Sequence, residues 1–529
     1  MKNLIVNSAS YTLALAGICV TSNVASETKR PNILVIMGDD ISRTSMGVYG
    51  CKYIKTPNFD RIANEGVLFT NAYVCNPKSS PSRACFLSGM YSWQLEEGCN
   101  HIPVMPEKFT FYPAELGKSG YDIGFTGKGW SPGVYFGPNN PAGVEYNALS
   151  LEPPTKGISK EDYASNFDNY LNTRDKSKPF CFWFGTHEAH RKYEKDSYKR
   201  YGKDLSKINV QACLPDNEIV RGDLADYGVE VEYHDMMIGK ALESLAKRGL
   251  LDNTIIIATS DQGMPFPHIK GQIYDEDFHE ALVVRWGDKI KPGRTVTDFV
   301  NFPDVAPTIM EAAGLKPHKQ MTGKSFLNIL LSNKSGRIDK DRTFSLLGKE
   351  RHDNGTREGD QIAVGYPVRA IRNDQYLYCH NYKQDRWPVG NPEFNYNNCD
   401  DSPTKSYLLE LKESDPDYKY FTLSFGMRPA DELYDIVKDP DCVNNLAADP
   451  KFASVVKELK TQMEKELFAQ NDPRMLGKGD LFDYYPQARE AKIKNLYKEK
   501  YYNMWDKFFE KYGYKTPAIP EGFVGKDGE

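Results

Sequence analysis

Thr254-Ile255-Ile256-Ile257-Ala258-Thr259 runs directly into Ser260-Asp261-Gln262-Gly263. An apolar, β-branched run without alternation reads as a strand buried on both faces, and polar residues stop it abruptly. Three other segments repeat the design. Asn32-Ile33-Leu34-Val35-Ile36-Met37 ends in Gly38-Asp39-Asp40, and Ile123-Gly124-Phe125-Thr126 ends in Gly127-Lys128. Pro179-Phe180-Cys181-Phe182-Trp183-Phe184 leads to His187-Glu188-Ala189-His190. Helical patterns lie between them: Pro57 to Asn64 closed by Gly66, and about Leu224 to Lys247 closed by Gly249. Strands alternating with helices predict an α/β domain with a mainly parallel sheet flanked by helices. Ligands of such sheets bind beyond the carboxyl ends of the strands, so the four polar termini are expected to converge on one edge.

The chain has 529 residues, 40% of them hydrophobic, enough for more than one core. From about Lys340 the texture changes. Arg351 to Asp360 is polar and contains glycine, reading as a linker or surface loop. Strand-like pieces follow at Gln375-Tyr376-Leu377-Tyr378 and Glu432-Leu433-Tyr434-Asp435, then a helix from about Pro450 to Phe468. The expectation is a catalytic domain over residues 27–345 and a smaller C-terminal α+β subdomain over 346–529, with an extended tail rich in Tyr, Lys and Glu. The net charge of −5 and the dispersed basic residues give no support to a nucleic-acid partner. An anionic ligand would need a local cationic pocket.

Residues 1–26 read as a signal peptide: Lys2, an apolar stretch from Tyr11 to Val20, and Val24-Ala25-Ser26 as the cleavage site. The apolar run is too short to span a bilayer. Cys19 suggests a lipoprotein, but Ile18 before it is too large for the usual lipidation box. An exported mature chain is expected, in a bacterial periplasm and without stable membrane insertion. Cleavage would reduce ten cysteines to nine. An oxidising compartment permits disulfides, yet spacing assigns none, and no CxxC or Cys/His cluster suggests zinc. Cys75 and Cys85 read as small buried apolar residues.

The chemistry-bearing stretch is Ser79-Ser80-Pro81-Ser82-Arg83-Ala84-Cys85-Phe86-Leu87-Ser88-Gly89. With Ser80 as cap and Pro81 in the first helical position, Ser79 would stand just ahead of a helix N-terminus, which favours an anion. Arg83 adds a permanent cation with a fork of donors. Asp39 with Asp40, and Asp261 with Gln262, offer hard oxygen ligands suited to Ca²⁺ or Mg²⁺. Clustered carboxylates would repel one another without such an ion. Lys128, His187, His190, Arg191 and Lys270 are candidate cations and proton carriers at neighbouring strand ends. Each feature also has a plain reading, as helix cap, turn, structural histidine or solvated lysine.

The Ser79 stretch resembles the signature C/S-x-P-S-R-x-x-x-L-[TS]-G of the type I sulfatases. The resemblance implies an alkaline-phosphatase-like large domain and oxidation of Ser79 to Cα-formylglycine by a serine-type maturation enzyme. It implies Ca²⁺ held by Asp39, Asp40, Ser79, Asp261 and Gln262, with Ser79, Arg83, Lys128, His190 and Lys270 catalytic. In that family the hydrated aldehyde attacks sulfur, a histidine protonates the leaving group, and the second hydroxyl expels sulfate. Gln262 stands where the family usually has Asn or His, and Trp130 where it has a histidine that helps break down the intermediate. Either another group takes that part, with His187 or His268 as candidates, or the intermediate breaks down by a different route. His187, Arg191, Trp130 and His268 are the implied substrate-binding residues. Ser260-Asp261-Gln262-Gly263-Met264-Pro265-Phe266-Pro267, His187 to Arg191, and the C-terminal Asn445-Leu446-Ala447 and Asn471-Asp472-Pro473 are most similar to the N-sulfoglucosamine sulfohydrolases. This implies cleavage of the glucosamine N-sulfate in heparin or heparan sulfate fragments. An O-sulfatase, a phosphate-ester or phosphonate hydrolase of the same fold, and a silent binder of sulfated glycans are the alternatives.

Overall fold

The computed structural model describes residues 30–485, except 136, 353, 354, 358 and 359. The expected signal peptide and the tail beyond residue 485 lie outside the described residues. Nine strands form the main sheet: β1 (Asn32–Gly38), β2 (Val67–Tyr73), β3 (Asp122–Gly127), β4 (Val144–Glu145), β5 (Phe180–Gly185), β6 (Thr254–Ser260), β7 (His279–Arg285), β8 (Arg294–Val296) and β9 (Val300–Asn301). Their order is β8-β2-β7-β6-β1-β5-β3-β4, with β9 also beside β2. Only β7 runs antiparallel to its neighbours. Every residue of β1, β5 and β6 is buried, as their unbroken apolar runs require. Side chains of β1 alternate between two cores: Ile33, Val35 and Met37 enter one, Leu34 and Ile36 the other.

Register decides where the site forms. Met37 lies opposite Gly185, Gly38 opposite Ser260, and Gly127 opposite Gly185. β1, β3, β5 and β6 therefore end in one row, and the residues that follow them share one edge. Gly127 is required there. Its φ is +70°, and a Cβ would lie 1.8 Å from the Gly185 carbonyl oxygen.

Helices α1 (Pro57–Asn64), α2 (Ser79–Ser88) and α3 (Glu218–Lys247) pack around the sheet. α1 has the bounds its pattern predicts. α3 begins earlier than about Leu224, because the Asn217 side chain caps it by accepting from the Val220 N–H.

The C-terminal part carries an antiparallel sheet in the order β10 (Phe344–Lys349), β11 (Val368–Asn373), β12 (Tyr376–Asn381), β13 (Asp431–Asp435). Between β12 and β13 lie α4 (Pro403–Glu410) and α5 (Tyr418–Phe425), and α6 (Ala453–Ala469) follows. Leu459, Met463 and Leu467 of α6 pack on Leu346, Ile371, Tyr378 and Leu433 of the sheet. The stretch read as a linker instead holds a hairpin, Gly355–Arg357 paired with Asp360–Val364. Arg351 to Asp360 is itself polar, and the apolar Ile362-Ala363-Val364 of the second strand lies beyond it. The nine described cysteines are unbridged, and Cys75 and Cys85 are buried. No described helix is long and apolar enough to cross a membrane.

Candidate active site

α2 brings the nucleophile candidate to the strand ends. The Ser82 N–H donates to the Lys78 carbonyl at 2.8 Å, so Lys78 is the cap and Ser79 the first helical residue. This corrects the expectation of Ser80 as cap and Pro81 in the first position. Pro81 is tolerated in third place because N–H groups of a first turn have no helical partner. All of α2 is buried. The Ser79 Oγ lies 3.2 Å from Asp39 Oδ1, 3.2 Å from Lys128 Nζ and 3.3 Å from Gln262 Nε2.

Arg83, one turn along α2, is wholly buried and ties the strand ends together. Its Nε donates to Asp261 Oδ2 at 2.9 Å, and its Nη1 to the carbonyls of Lys128 (2.8 Å) and Gly129 (3.1 Å). Its Nη2 is 3.5 Å from Asp39 Oδ1. Arg83 thus stands behind the cavity and orients groups that face it.

Asp39, Asp40 and Asp261 are buried, with ligand atoms within 4.8 Å of one another. Burial alone would raise the Asp39 carboxyl, but the charges of Lys128, Arg83 and His190 hold it well below the usual carboxylate range. Asp261 is pushed up to about 6, by burial and then by the charge of Asp39, against the pull of Arg83 and Lys128. A hard divalent cation fits this donor set, because it would relieve that repulsion. The Gln262 Oε1 is buried and has no hydrogen-bond partner. Its Nε2 instead donates to Asp40 Oδ1 at 2.6 Å. A half-turn of the amide exchanges the two atoms and presents oxygen beside Asp40.

Above this floor opens a polar cavity of about 570 Å³. Asp39, Ser79, Lys128, His187, His190, Arg191, Gln262 and Lys270 line it. Lys128 Nζ reaches Asp39 Oδ2 at 2.5 Å, and Lys270 Nζ reaches Asp40 Oδ2 at 2.6 Å. The two ammonium groups therefore stand between the carboxylates and the open space. The His190 Nδ1 bonds the Arg191 carbonyl at 2.7 Å. A carbonyl only accepts, so Nδ1 carries the proton and Nε2 is the nitrogen available to a ligand. His187 Nε2 lies 3.4 Å from Glu161 Oε2. Arg191 is bidentate to Asp223 at 2.7 and 2.9 Å.

Two expected substrate-binding residues do not reach the cavity. Trp130 is buried, and its indole N–H donates to the Ser80 carbonyl at 3.0 Å, bracing the start of α2. His268 is buried against Tyr274, with its ring nitrogens 3.0 Å from the Leu423 carbonyl and 3.1 Å from that of Asp441. Burial, and then the Arg428 charge, lower its pKa to about 4 against the pull of the two carbonyls, and its sealed position makes it structural. Conversely, sequence reading missed Glu161, His101, His352, Asn397, Asn398 and Asp400, which also line the cavity. Asp400 Oδ2 is 2.7 Å from Lys270 Nζ. Burial would raise its pKa, but Lys270, His190 and Lys78 hold it well below the ordinary range. These residues come from loops, with no motif or spacing to mark them.

The family model described as Sulfatase matches residues 31–315, more than half of the chain. The chain belongs to the sulfatase family. A second model, described as N-sulphoglucosamine sulphohydrolase, C-terminal, matches residues 268–389 of this sulfatase. An ulvan-active sulfatase of Formosa agariphila is 26% identical over 497 residues, covering 86% of this chain and 78% of the relative. Human N-sulphoglucosamine sulphohydrolase is 25% identical over 474 residues, covering 84% and 91%. An N-acetylglucosamine-6-O-sulfatase of Bacteroides thetaiotaomicron is 29% identical over 423 residues, covering 61% and 75%. Among solved structures, one holding D-glucosamine-2-N,6-O-disulfate as its substrate superposes with a TM-score of 0.60 at 22% identity, covering 84% of this chain and 99% of that one. A phosphonate monoester hydrolase of Agrobacterium radiobacter reaches 0.61 at 19% identity, covering 83% and 96%. These superpositions establish the shared alkaline-phosphatase-like fold.

Proposed function

We propose that this sulfatase removes sulfate from a sulfated glycan, with the N-sulfate of a glucosamine residue as its preferred bond. One observation carries the reading: the Ser79 Oγ stands at the floor of a polar cavity, within 3.3 Å of a carboxylate, an ammonium and an amide. The N-sulfate preference draws support from the match of residues 268–389 to the N-sulphoglucosamine sulphohydrolase C-terminal model and from the likeness to the human enzyme of that name. Export to the periplasm and maturation of Ser79 to formylglycine belong to the same proposal.

In this proposal Asp39, Asp40, Asp261, Gln262 and residue 79 would hold Ca²⁺, which would lower the pKa of the attacking hydroxyl. Arg83 keeps Asp39 and Asp261 in register. Lys128 and Lys270 hold the sulfuryl oxygens and offset the charge that grows on them. Preorganised cations of this kind are commonly the largest catalytic contribution. His190, as the imidazolium with Nδ1–H held by the Arg191 carbonyl, gives its Nε2 proton to the departing nitrogen or oxygen and is left neutral. His187, on the cavity wall beside Glu161, takes the proton-transfer part that Trp130 cannot fill.

Product analysis on defined N-, 2-O-, 3-O- and 6-O-sulfated glucosamine disaccharides tests the reading, alongside peptide mapping of Ser79. Sulfate is expected from the N-position, by protein whose Ser79 peptide is lighter by about 2 Da. Release confined to an O-position would overturn the bond preference. Full turnover by unmodified serine protein would overturn the nucleophile.

A further inference from the structure

A second cavity adjoins the first and is not used by the reaction. It measures about 310 Å³ and shares Arg191, Asn397 and Asp400 with the reaction cavity, so the two lie side by side. Its outer wall comes from the connection between β12 and β13. That connection has its own apolar cluster, in which Tyr396 packs on Trp387, Phe421 and Phe425. It is anchored to α3 through Thr404, whose Oγ1 donates to Asp223 Oδ2 at 2.6 Å. The same Asp223 grips Arg191. The wall and the shared arginine are therefore built on one carboxylate.

Two features point to a ligand. Phe394 lines this cavity with 45% of its surface exposed, whereas Tyr396 two residues on is buried. The backbone turns left-handed at Asn395 and Tyr396, with φ of 55° and 49°. This reversal separates the outward ring from the inward one. Opposite it stand buried cations with donors to spare. The Lys405 side chain is 2% exposed, and its Nζ donates to the Cys399 carbonyl at 2.7 Å and Asp401 Oδ1 at 3.0 Å. One of its three N–H groups remains. Arg191 spends three of its five, on Asp223 and the Pro265 carbonyl, leaving two. An exposed aromatic face beside fixed donors and an amide suits a pyranose ring, with apolar C–H faces and oxygen-bearing edges.

The geometry points to a second saccharide subsite, in which the sugar adjoining the sulfated residue stacks on Phe394 and bonds Arg191 and Lys405. This inference rests on the proposed glycan sulfatase reading and deepens it: the substrate is a chain of at least two sugars rather than a free monosaccharide. Nothing covalent is required of the subsite. It acts through affinity, so its signature is in KM and not in kcat.

The test compares N-sulfoglucosamine with a heparin-derived tetrasaccharide ending in the same residue, for the matured wild type and Phe394→Ala. Loss of one stacked ring is expected to lower kcat/KM for the tetrasaccharide about tenfold, through KM, and to leave the monosaccharide within roughly twofold. Circular dichroism checks the fold, which an exposed ring should not govern. Equal loss on both substrates, or loss on neither, overturns the subsite. If the wild type releases sulfate from neither sugar, the proposed N-sulfated glucosamine reading fails by itself. Calorimetric titration with the N-desulfated tetrasaccharide then still decides the subsite: binding that Phe394→Ala weakens upholds it, and absence of binding overturns it.

Discussion

The floor of the reaction cavity and the outer wall of the cavity beside it are built in opposite ways. The floor is a row of strand ends held by fully buried charges, with Arg83, Asp39, Asp40 and Asp261 at 1% exposure or less. The wall is a long connection carrying Phe394 at 45% exposure and Asp400 with 28% of its side chain exposed. In the floor each charge fixes the next, so losing one partner strands another in a dry interior. In the wall the groups face solvent or a ligand. Substitution of a buried charge in the floor should therefore cost catalysis and stability together, and substitution of an exposed group in the wall, such as Phe394, should alter recognition alone.

The largest effect is expected at residue 79. Ser79→Ala should abolish sulfate release while leaving the fold intact, as read by turnover and circular dichroism; measurable turnover would remove Ser79 from the reaction. Lys128→Ala and Lys270→Ala should each lower kcat by on the order of 10²–10³, the usual loss for one charge-stabilising donor. A change confined to KM would place these lysines in ground-state binding instead.

Arg83→Met separates floor from wall by stability. Removing one partner of a buried ion pair should cost about 3–5 kcal/mol of unfolding free energy in denaturant titration. An unchanged midpoint would contradict the role of Arg83 as a tie between strands. Phe394→Ala gives the contrasting result, a change within about 0.5 kcal/mol, as for exposed positions generally.

A smaller effect concerns pH. Burial holds His268 and His234 at about 4 in the folded chain, against 6.5 ordinarily. The unfolded chain therefore binds more protons between those values, so stability rises with pH there. The contribution is present in full above pH 6.5 and is lost as pH falls towards 4. His268→Gln should flatten this acid limb in denaturation measured across that range. A slope unchanged by the substitution would mean that His268 does not titrate as its burial implies.

Much of the floor is readable in the chain because it is covalently local. Unbroken apolar runs dictate β1, β5 and β6, and Asp39, Asp40, Asp261 and Gln262 are simply the residues that follow two of them. The bounds of α1 are local as well, with Pro57 inside its start. The serine-arginine spacing in α2 marks the nucleophile candidate and its neighbour for the same reason. Even so, the first helical residue was misplaced, since Lys78 caps without a side-chain hydrogen bond to advertise it.

Other features depend on contacts between distant residues. Arg83 reaches Asp261 across 178 positions, and His268 meets Asp441 across 173. A histidine near a motif looks alike whether its ring faces a substrate or is sealed by two carbonyls. Only packing assigned His268 and Trp130 to the interior. Only packing brought Asp400 to Lys270, and Phe394 to a cavity beside the one whose floor lies far earlier in the chain. The sequence by itself determined the four strands that end at the site, the nucleophile candidate and the cluster of carboxylates, because each follows from neighbours along the backbone. The tertiary structure alone decided which charged groups face the cavity and which brace it, because that depends on which surfaces meet when the chain closes.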